Sequence, residues 1–158
     1  MKKKMIKIGI QAKRALNQEI SNKLKNKVLK KFASLIEKNK NKILLNNIKD
    51  INNSKTLGLK SNMIKRLELN REKIDSIITS IKQITKLKDP VNKTLKKWVR
   101  PNGLKIKKVS VPIGVIGVIY ESRPNVTSDV SCLCFKSGNS VILRGGSEAY
   151  HSNKIISK

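Results

Sequence analysis

The sequence predicts an α/β protein: an N-terminal helical layer, then a β-hairpin, then a βαβα unit of a parallel sheet. Three observations carry that prediction. Apolar residues recur at helical spacing as far as Ile84, a run alternating apolar residues with Lys follows an Asn-Gly tip, and two short apolar runs flank a segment of helix length. Charge divides the chain near the same place. Residues 1–108 hold 31 of the 36 basic residues and seven of the ten acids, a net of +24, whereas 109–158 hold five and three, a net of +2. The parts are expected at 1–93, 94–111 and 112–158.

The stretch near 5–18 is only weakly periodic. Ser21 is a natural N-cap for a helix carrying Leu24, Val28, Leu29, Phe32, Leu35 and Ile36 on one stripe. A further helix carries Ile43, Leu44, Ile48 and Ile51 and ends at Asn52-Asn53-Ser54. Asn70 caps the clearest helix, in which Ile74, Ile77, Ile78, Ile81 and Ile84 share a face, and Asp89-Pro90 stops it. Thr94–Arg100 and Leu104–Val111 flank Pro101-Asn102-Gly103 and read as a hairpin. A two-stranded ribbon is marginal alone, and no partner strand for it is evident in the chain. Val115–Tyr120 has the continuous apolar character of a strand covered on both faces. A polar loop Glu121–Thr127, a helix Ser128–Phe135 closed at Gly138, a second strand Ser140–Leu143, a turn Arg144–Glu148 and a last helix complete the unit.

Composition excludes several classes of function. No run of 18 apolar residues exists, so no membrane-spanning helix is expected. The apolar part of the basic start is too short for a secretory signal, and Cys132 and Cys134 are too close together to cross-link a fold usefully. A reduced, cytoplasmic location is the default. The net charge of +26 invites a polyanion, but 30 of the basic residues are Lys and six are Arg. Lys, Asn and Ile together make 67 of 158 residues, the types spelled by A- and T-rich codons, which is a source of basicity other than a polyanion partner. Aromatic content of 3% argues against a base-stacking surface. Charge alone therefore leaves only non-specific nucleic-acid binding at low salt.

Ligands of parallel sheets bind beyond the carboxyl ends of the strands, which puts Glu121–Thr127 and Arg144–Glu148 on one rim. Gly145 and Gly146 let backbone approach a bulky ligand, and a helix opening at Ser147 offers N–H groups to phosphate. Arg144 can clamp a phosphate, Glu148 can accept from ribose hydroxyls, and the Asn125 amide suits an oxyanion formed in acyl chemistry. Read blandly, the glycines make a tight turn and Arg144 with Glu148 a surface pair. Gly114 and Gly117 do not form the dinucleotide fingerprint, because they lie before and inside the strand rather than in the turn after it.

The segments Val111–Thr127 (VPIGVIGVIYESRPNVT), Leu133–Asn139 (LCFKSGN) and Val141–Ala149 (VILRGGSEA) closely resemble the gamma-glutamyl phosphate reductases, the NADPH-dependent family of proline biosynthesis within the aldehyde dehydrogenase superfamily. Weaker agreement runs through Trp98–Gly103, Leu57–Leu59 and Lys65–Leu67. The resemblance implies an aldehyde-dehydrogenase-type nucleotide-binding domain and the reduction of L-glutamate 5-phosphate to L-glutamate 5-semialdehyde with release of phosphate. It implies that Asn125 holds the oxyanion, that Arg144, Gly145, Gly146, Ser147 and Glu148 receive the adenosine end of NADPH, and that Glu121 and Ser122 border the pyrophosphate and nicotinamide path. Arg123, by its charge, is set to meet the acyl phosphate.

The family is homo-oligomeric through an arm like the hairpin at 94–111, and its chemistry implies coupling to glutamate 5-kinase. It is also well over twice this length, with its catalytic Cys in a later domain. The chain is accordingly expected to be a truncated or interrupted form, inactive alone and poorly soluble or partly unfolded in isolation. Cys132 and Cys134 are expected to be structural and His151 a bystander; no metal is expected. The alternatives are a non-catalytic nucleotide-binding remnant and a basic polyanion-binding protein.

Overall fold

The computed structural model describes residues 2–16 and 18–158. In chain order it comprises α1 (Lys2–Leu16), α2 (Asn22–Lys38), α3 (Lys40–Thr56), α4 (Ser61–Leu67), α5 (Arg71–Lys86), β1 (Thr94–Val99), β2 (Lys105–Val109), β3 (Val115–Tyr120), α6 (Asn125–Lys136), β4 (Ser140–Gly145) and α7 (Tyr150–Ile156), with a 3-10 turn at Ser147–Ala149. The weakly periodic start forms α1, which buries no side chain; Met1 and Asn17 lie outside the described residues. No described helix is long and apolar enough to cross a membrane.

α5 is the spine. The Asn70 side chain accepts from the Lys73 amide at 2.8 Å, fixing the start, and all five isoleucines of the stripe are buried. They pack with Leu29, Ala33 and Ile36 of α2, Ile43 of α3, Cys132 of α6 and Ile156 of α7 in one core. That core therefore spans both halves of the chain.

α2 begins at the expected cap, where Ser21 Oγ accepts from the Leu24 amide, but its buried face is turned by about one residue. Lys25, Leu29, Ala33 and Ile36 are buried, while Leu24, Val28 and Leu35 are exposed. On the buried face Lys25 Nζ lies 3.0 Å from Asp89, with only 4% and 13% of the two side chains exposed. Lys136 is buried beside it, donating to Asn22 and Asn26 at 2.8 and 2.7 Å.

α3 departs further from expectation. It runs two residues beyond Ser54, and its buried face is Ile43, Asn47, Asp50 and Ser54 rather than the apolar positions Ile48 and Ile51. Asn47 donates to the Leu67 carbonyl and to Ser152 Oγ, and its own oxygen accepts from the Leu69 amide at 2.8 Å. Asp50 accepts from the amides of His151 and Ser152 and from Ser152 Oγ, at 3.0, 2.7 and 2.6 Å. Asn47 and Asp50 are buried with partners for their polar atoms, as burial demands, whereas Ser54 Oγ is buried without one.

The hairpin forms as expected. β1 and β2 pair antiparallel with an irregularity between Thr94 and Lys96, and Gly103 takes φ +82° in the turn. Every residue of β1 is exposed, and among the described residues neither strand pairs with another. β3 and β4 are parallel, in register from Val115 opposite Ser140 to Tyr120 opposite Gly145. α6 connects them and opens at Asn125, three residues ahead of the expected Ser128, which shortens the loop. β3 is not covered on both faces. Ile116, Val118 and Tyr120 are half-buried, whereas Val115, Gly117 and Ile119 are exposed, Ile119 at 84%. A cleft of about 1100 Å³ separates α1 from α2 and α6.

Two measurements test these anchors. Asp50→Ala strands buried donors of α7 and is expected to cost about 3 kcal/mol in denaturant unfolding. Asp75→Ala, which removes the partly exposed ion pair with Lys40, is expected to cost less than about 1 kcal/mol. Burial opposes the ionisation of Asp89, but the Val91 amide and Lys25, aided by the charge of Lys136, hold its carboxyl below the ordinary range. Its contribution is thus present in full above the unfolded value and lost as pH falls through the lower folded one. Asp89→Asn leaves Lys25 buried without its counter-ion; it is expected to cost about 3 kcal/mol at neutral pH and to flatten the acid limb of the Tm–pH curve.

Candidate functional site

Parallel strands bring the carboxyl ends of β3 and β4 to the same edge, and the two loops leaving them meet there. Ser122 is buried with φ +46°, a left-handed conformation unusual for a residue with a side chain. Its amide and its Oγ, the latter at 3.1 Å, both donate to Glu148 Oε1. The Glu148 carboxylate thus ties the loop after β3 to the turn after β4, and Oε2 remains to accept from another group. A Cβ on Gly146 would meet the Glu148 carboxylate, so a side chain there would push that carboxylate from its present place. A Cβ on Gly145 would run into the Asn153 amide and press on the Tyr120 ring, so a side chain there would displace Asn153.

Below this rim Thr127 Oγ1 bonds both Tyr120 OH and Asn153 Oδ1, joining β3, α6 and α7. Glu121, Arg123, Arg144 and Ser147 are exposed around the edge. Of the residues singled out from sequence, the structure brings Ser122, Gly146 and Glu148 into direct contact. Gly145 packs one step away.

Asn125 faces elsewhere. It is the first residue of α6, half-buried, and its Nδ2 donates to Asp129 Oδ2 at 3.1 Å. Asn125 and Asp129 line a cleft of about 260 Å³ against Arg66, Glu68, Lys73, Ser76 and Ser80 of the α4–α5 region. Asp129 Oδ1 is buried without a hydrogen-bond partner. Burial raises the pKa of Asp129, with the Asn125 bond opposing. Sequence reading passed over Asp129. The signal that could have found it is a carboxylate one helical turn after the Asn amide.

The other sequence candidates are accounted for simply. Cys132 and Cys134 are free and buried. Burial, reinforced by the Asp129 charge, pushes the Cys132 thiol up to about 12, and burial raises Cys134 as well. His151 uses its backbone amide on Asp50, while its ring meets Tyr150 edge-on with centroids 5.3 Å apart. Among the described residues no group of three His, Cys, Asp or Glu is placed to hold a metal.

At pH 8 roughly one Cys132 in ten thousand is a thiolate, so an aromatic disulfide reagent is expected to label the native protein orders of magnitude more slowly than the denatured one. Rapid native labelling of Cys132 would contradict its burial.

No family model matches the chain. Among curated proteins it is 54% identical over 134 residues to the gamma-glutamyl phosphate reductase of Nitratiruptor sp., a match covering 85% of this chain and 32% of that protein. The gamma-glutamyl phosphate reductase of Allorhizobium ampelinum is 46% identical over 154 residues, 96% of this chain and 36% of the other. The crystal structure of the Thermotoga maritima gamma-glutamyl phosphate reductase superposes with a TM-score of 0.90 at 40% identity, over 96% of this chain and 37% of that one. The Saccharomyces cerevisiae protein of the same name gives 0.90 at 34% identity, over 95% and 40%. The chain spans about a third of the length of the curated relatives it matches.

Proposed function

Along nearly its whole length the chain corresponds to the amino-terminal part of the gamma-glutamyl phosphate reductases, and we propose that it supplies the nucleotide-binding rim and the oxyanion donor for the NADPH-dependent reduction of L-glutamate 5-phosphate to L-glutamate 5-semialdehyde, with release of phosphate. The observation that carries this reading is the rim itself. A Gly-Gly turn, an exposed Arg144 and a carboxylate locked by Ser122 converge at the carboxyl ends of two parallel strands.

The donor set fits a dinucleotide phosphate. Glu148 Oε1 is held by Ser122, so Oε2 is pre-oriented to accept from a ribose hydroxyl. Arg144, exposed near the end of β4, carries a guanidinium suited to clamp a 2′-phosphate bidentately. Gly145 and Gly146 keep the turn thin, and the exposed Ser147 and Glu121 flank the path toward the pyrophosphate. NADPH, when bound, supplies the hydride. Arg123 neutralises charge on the acyl phosphate as phosphate leaves, and Asn125 Nδ2 donates to the acyl oxygen as it becomes an oxyanion. Burial disfavours the thiolate of Cys132 and of Cys134, so this reading assigns the nucleophile to neither. The units 1–93, 94–111 and 112–158 act as a helical layer, a subunit-contact arm and the start of the nucleotide sheet. A cytoplasmic homo-oligomer coupled in function to glutamate 5-kinase, which makes the labile acyl phosphate, is consistent with that division.

Nucleotide fluorescence titration of the 158-residue chain tests the proposal. NADPH is expected to bind saturably. Glu148→Ala should weaken NADPH and NADH alike, whereas Arg144→Ala should cost about tenfold for NADPH and little for NADH. Lack of saturable binding by the unaltered chain, or nucleotide binding indifferent to both changes and steeply salt-dependent, would leave only a polyanion-binding surface.

A further inference from the structure

The proposed reaction leaves one fully buried carboxylate unused. Asp50 of α3 is 2% exposed and makes three hydrogen bonds, each as the acceptor. Oδ1 takes the His151 amide at 3.0 Å, and Oδ2 takes the Ser152 amide and hydroxyl at 2.7 and 2.6 Å. All three donors belong to the first turn of α7, which follows the Ser147–Ala149 turn without a spacer. Glu148 is the middle residue of that turn. Sequence reading offers the N–H groups of this helix opening to a phosphate, but the structure has most of them engaged already. The Ala149 and Tyr150 amides donate to the carbonyls of Gly146 and Ser147, and the next two donate to Asp50. The anion at the start of α7 is the protein's own.

An anchor of this kind fixes a side chain that it does not touch. Ala149, between Glu148 and the helix, is fully buried, so the turn cannot swing outward without exposing it. Asn153, next to the anchored residues, accepts from Thr127 of α6 at 3.0 Å. Asn47 braces the same turn by donating to Ser152 Oγ at 3.0 Å and to the Leu67 carbonyl at 2.9 Å. Glu148 is therefore held from both ends. Its backbone is held through α7 on Asp50, and its carboxylate by the Ser122 amide and hydroxyl. We infer that Asp50 is a positioning residue of the nucleotide rim, acting on the cofactor only through Glu148 by fixing where its free oxygen meets a ribose hydroxyl. A binding group holds its place to within about 0.5 Å only while the residues behind it are locked, and here the lock is Asp50. This inference rests on the reductase reading and adds to it a residue of the helical layer.

Asp50→Asn keeps the shape but sets an amide donor against a backbone N–H, so an anchoring bond becomes a repulsion. The first readout is the Ser122 amide resonance of the nucleotide-free, ¹⁵N-labelled chain. Glu148→Ala marks where that resonance lies once the carboxylate is gone. Asp50→Asn is expected to move it toward that position, although no hydrogen bond joins Ser122 to Asp50. Asp89→Asn, which lowers stability by a similar amount away from α7, leaves it in place. The second readout is the NADPH titration. Asp50→Asn is expected to weaken binding about tenfold in the unaltered background, and by less than about twofold where Glu148 is already Ala. An unmoved Ser122 amide, or losses of affinity that add in full to those of Glu148→Ala, would overturn the assignment. Should Asp50→Asn not fold, Ser152→Ala decides by the same resonance, because it removes one donor and spares the carboxylate. A shift in the same direction then supports the anchor, and no shift overturns it. Movement of the Ser122 amide without NADPH binding by the unaltered chain removes the nucleotide reading and keeps the brace. NADPH binding that Glu148→Ala weakens and Asp50→Asn does not removes the positioning role and spares the rim.

Discussion

One buried carboxylate holds the two halves of this chain in register. Asp50, on a helix near the start, accepts three hydrogen bonds from the first turn of α7, near the end. A seven-residue helix is too short to persist by its own propensity, so its existence depends on what is bound at its start. A negative charge there also meets the positive end of the helix dipole. Once α7 is pinned, the 3-10 turn ahead of it is pinned too, and that turn carries Glu148. The rim carboxylate is therefore placed by a helix nearly a hundred residues upstream, with Asn47 adding the α4–α5 connection to the same network. This is why the helical layer belongs to the chemistry of the rim as well as to its packing.

The rim shows how local strain is exchanged for orientation. Ser122 accepts a left-handed backbone, a conformation that costs about 1 kcal/mol or more for a non-glycine residue. In return its amide and hydroxyl aim at a single oxygen of Glu148, and the facing glycines leave room for the carboxylate to lie flat. A glycine pair that sequence reads as a channel for ligand backbone contact is here first a channel for the protein's own side chains, Glu148 over Gly146 and Asn153 over Gly145. Both uses draw on the absence of Cβ, and residue identity alone cannot separate them.

How much of this was legible follows from which force dominates each segment. α5 could be read residue by residue, because five isoleucines at helical spacing have one way to be buried. The parallel unit and the hairpin were legible for the same reason, period and turn chemistry agreeing. α2 was legible as a helix but not in its rotation, because its apolar residues spread over more than one face and the buried one includes Lys25, whose partner Asp89 lies 64 residues away. α3 was misread at its face, since Asn47 and Asp50 are buried by partners that lie far along the chain, and no local period encodes a distant partner. Asp129 escaped for a related reason. An acid in a helix is ordinarily solvated, and only the closing of α5 over α6 makes its second oxygen an orphan.

The same reasoning explains where the positive charge is tolerated. Buried lysines are few and each is answered, Lys25 by Asp89 and Lys136 by two Asn oxygens. Most of the remainder lies on exposed helix faces and loops, where water and salt screen it. The hairpin is the exception. Lys96 stands opposite Lys108 and Lys97 opposite Lys107, so the ribbon sets like charges directly across from each other, which weakens a structure that is already marginal. No acidic residue lies between Thr94 and Val109 to offset them. Its backbone edges, together with the exposed face of β3 that carries Val115 and Ile119, are left without partners among the described residues. The physical division of the chain is thus between a helical core whose buried lysines are answered and strands whose edges, apolar surface and charge are not. Stability resides in the first, and it is the first, through Asp50 and α7, that places the rim at the ends of the second.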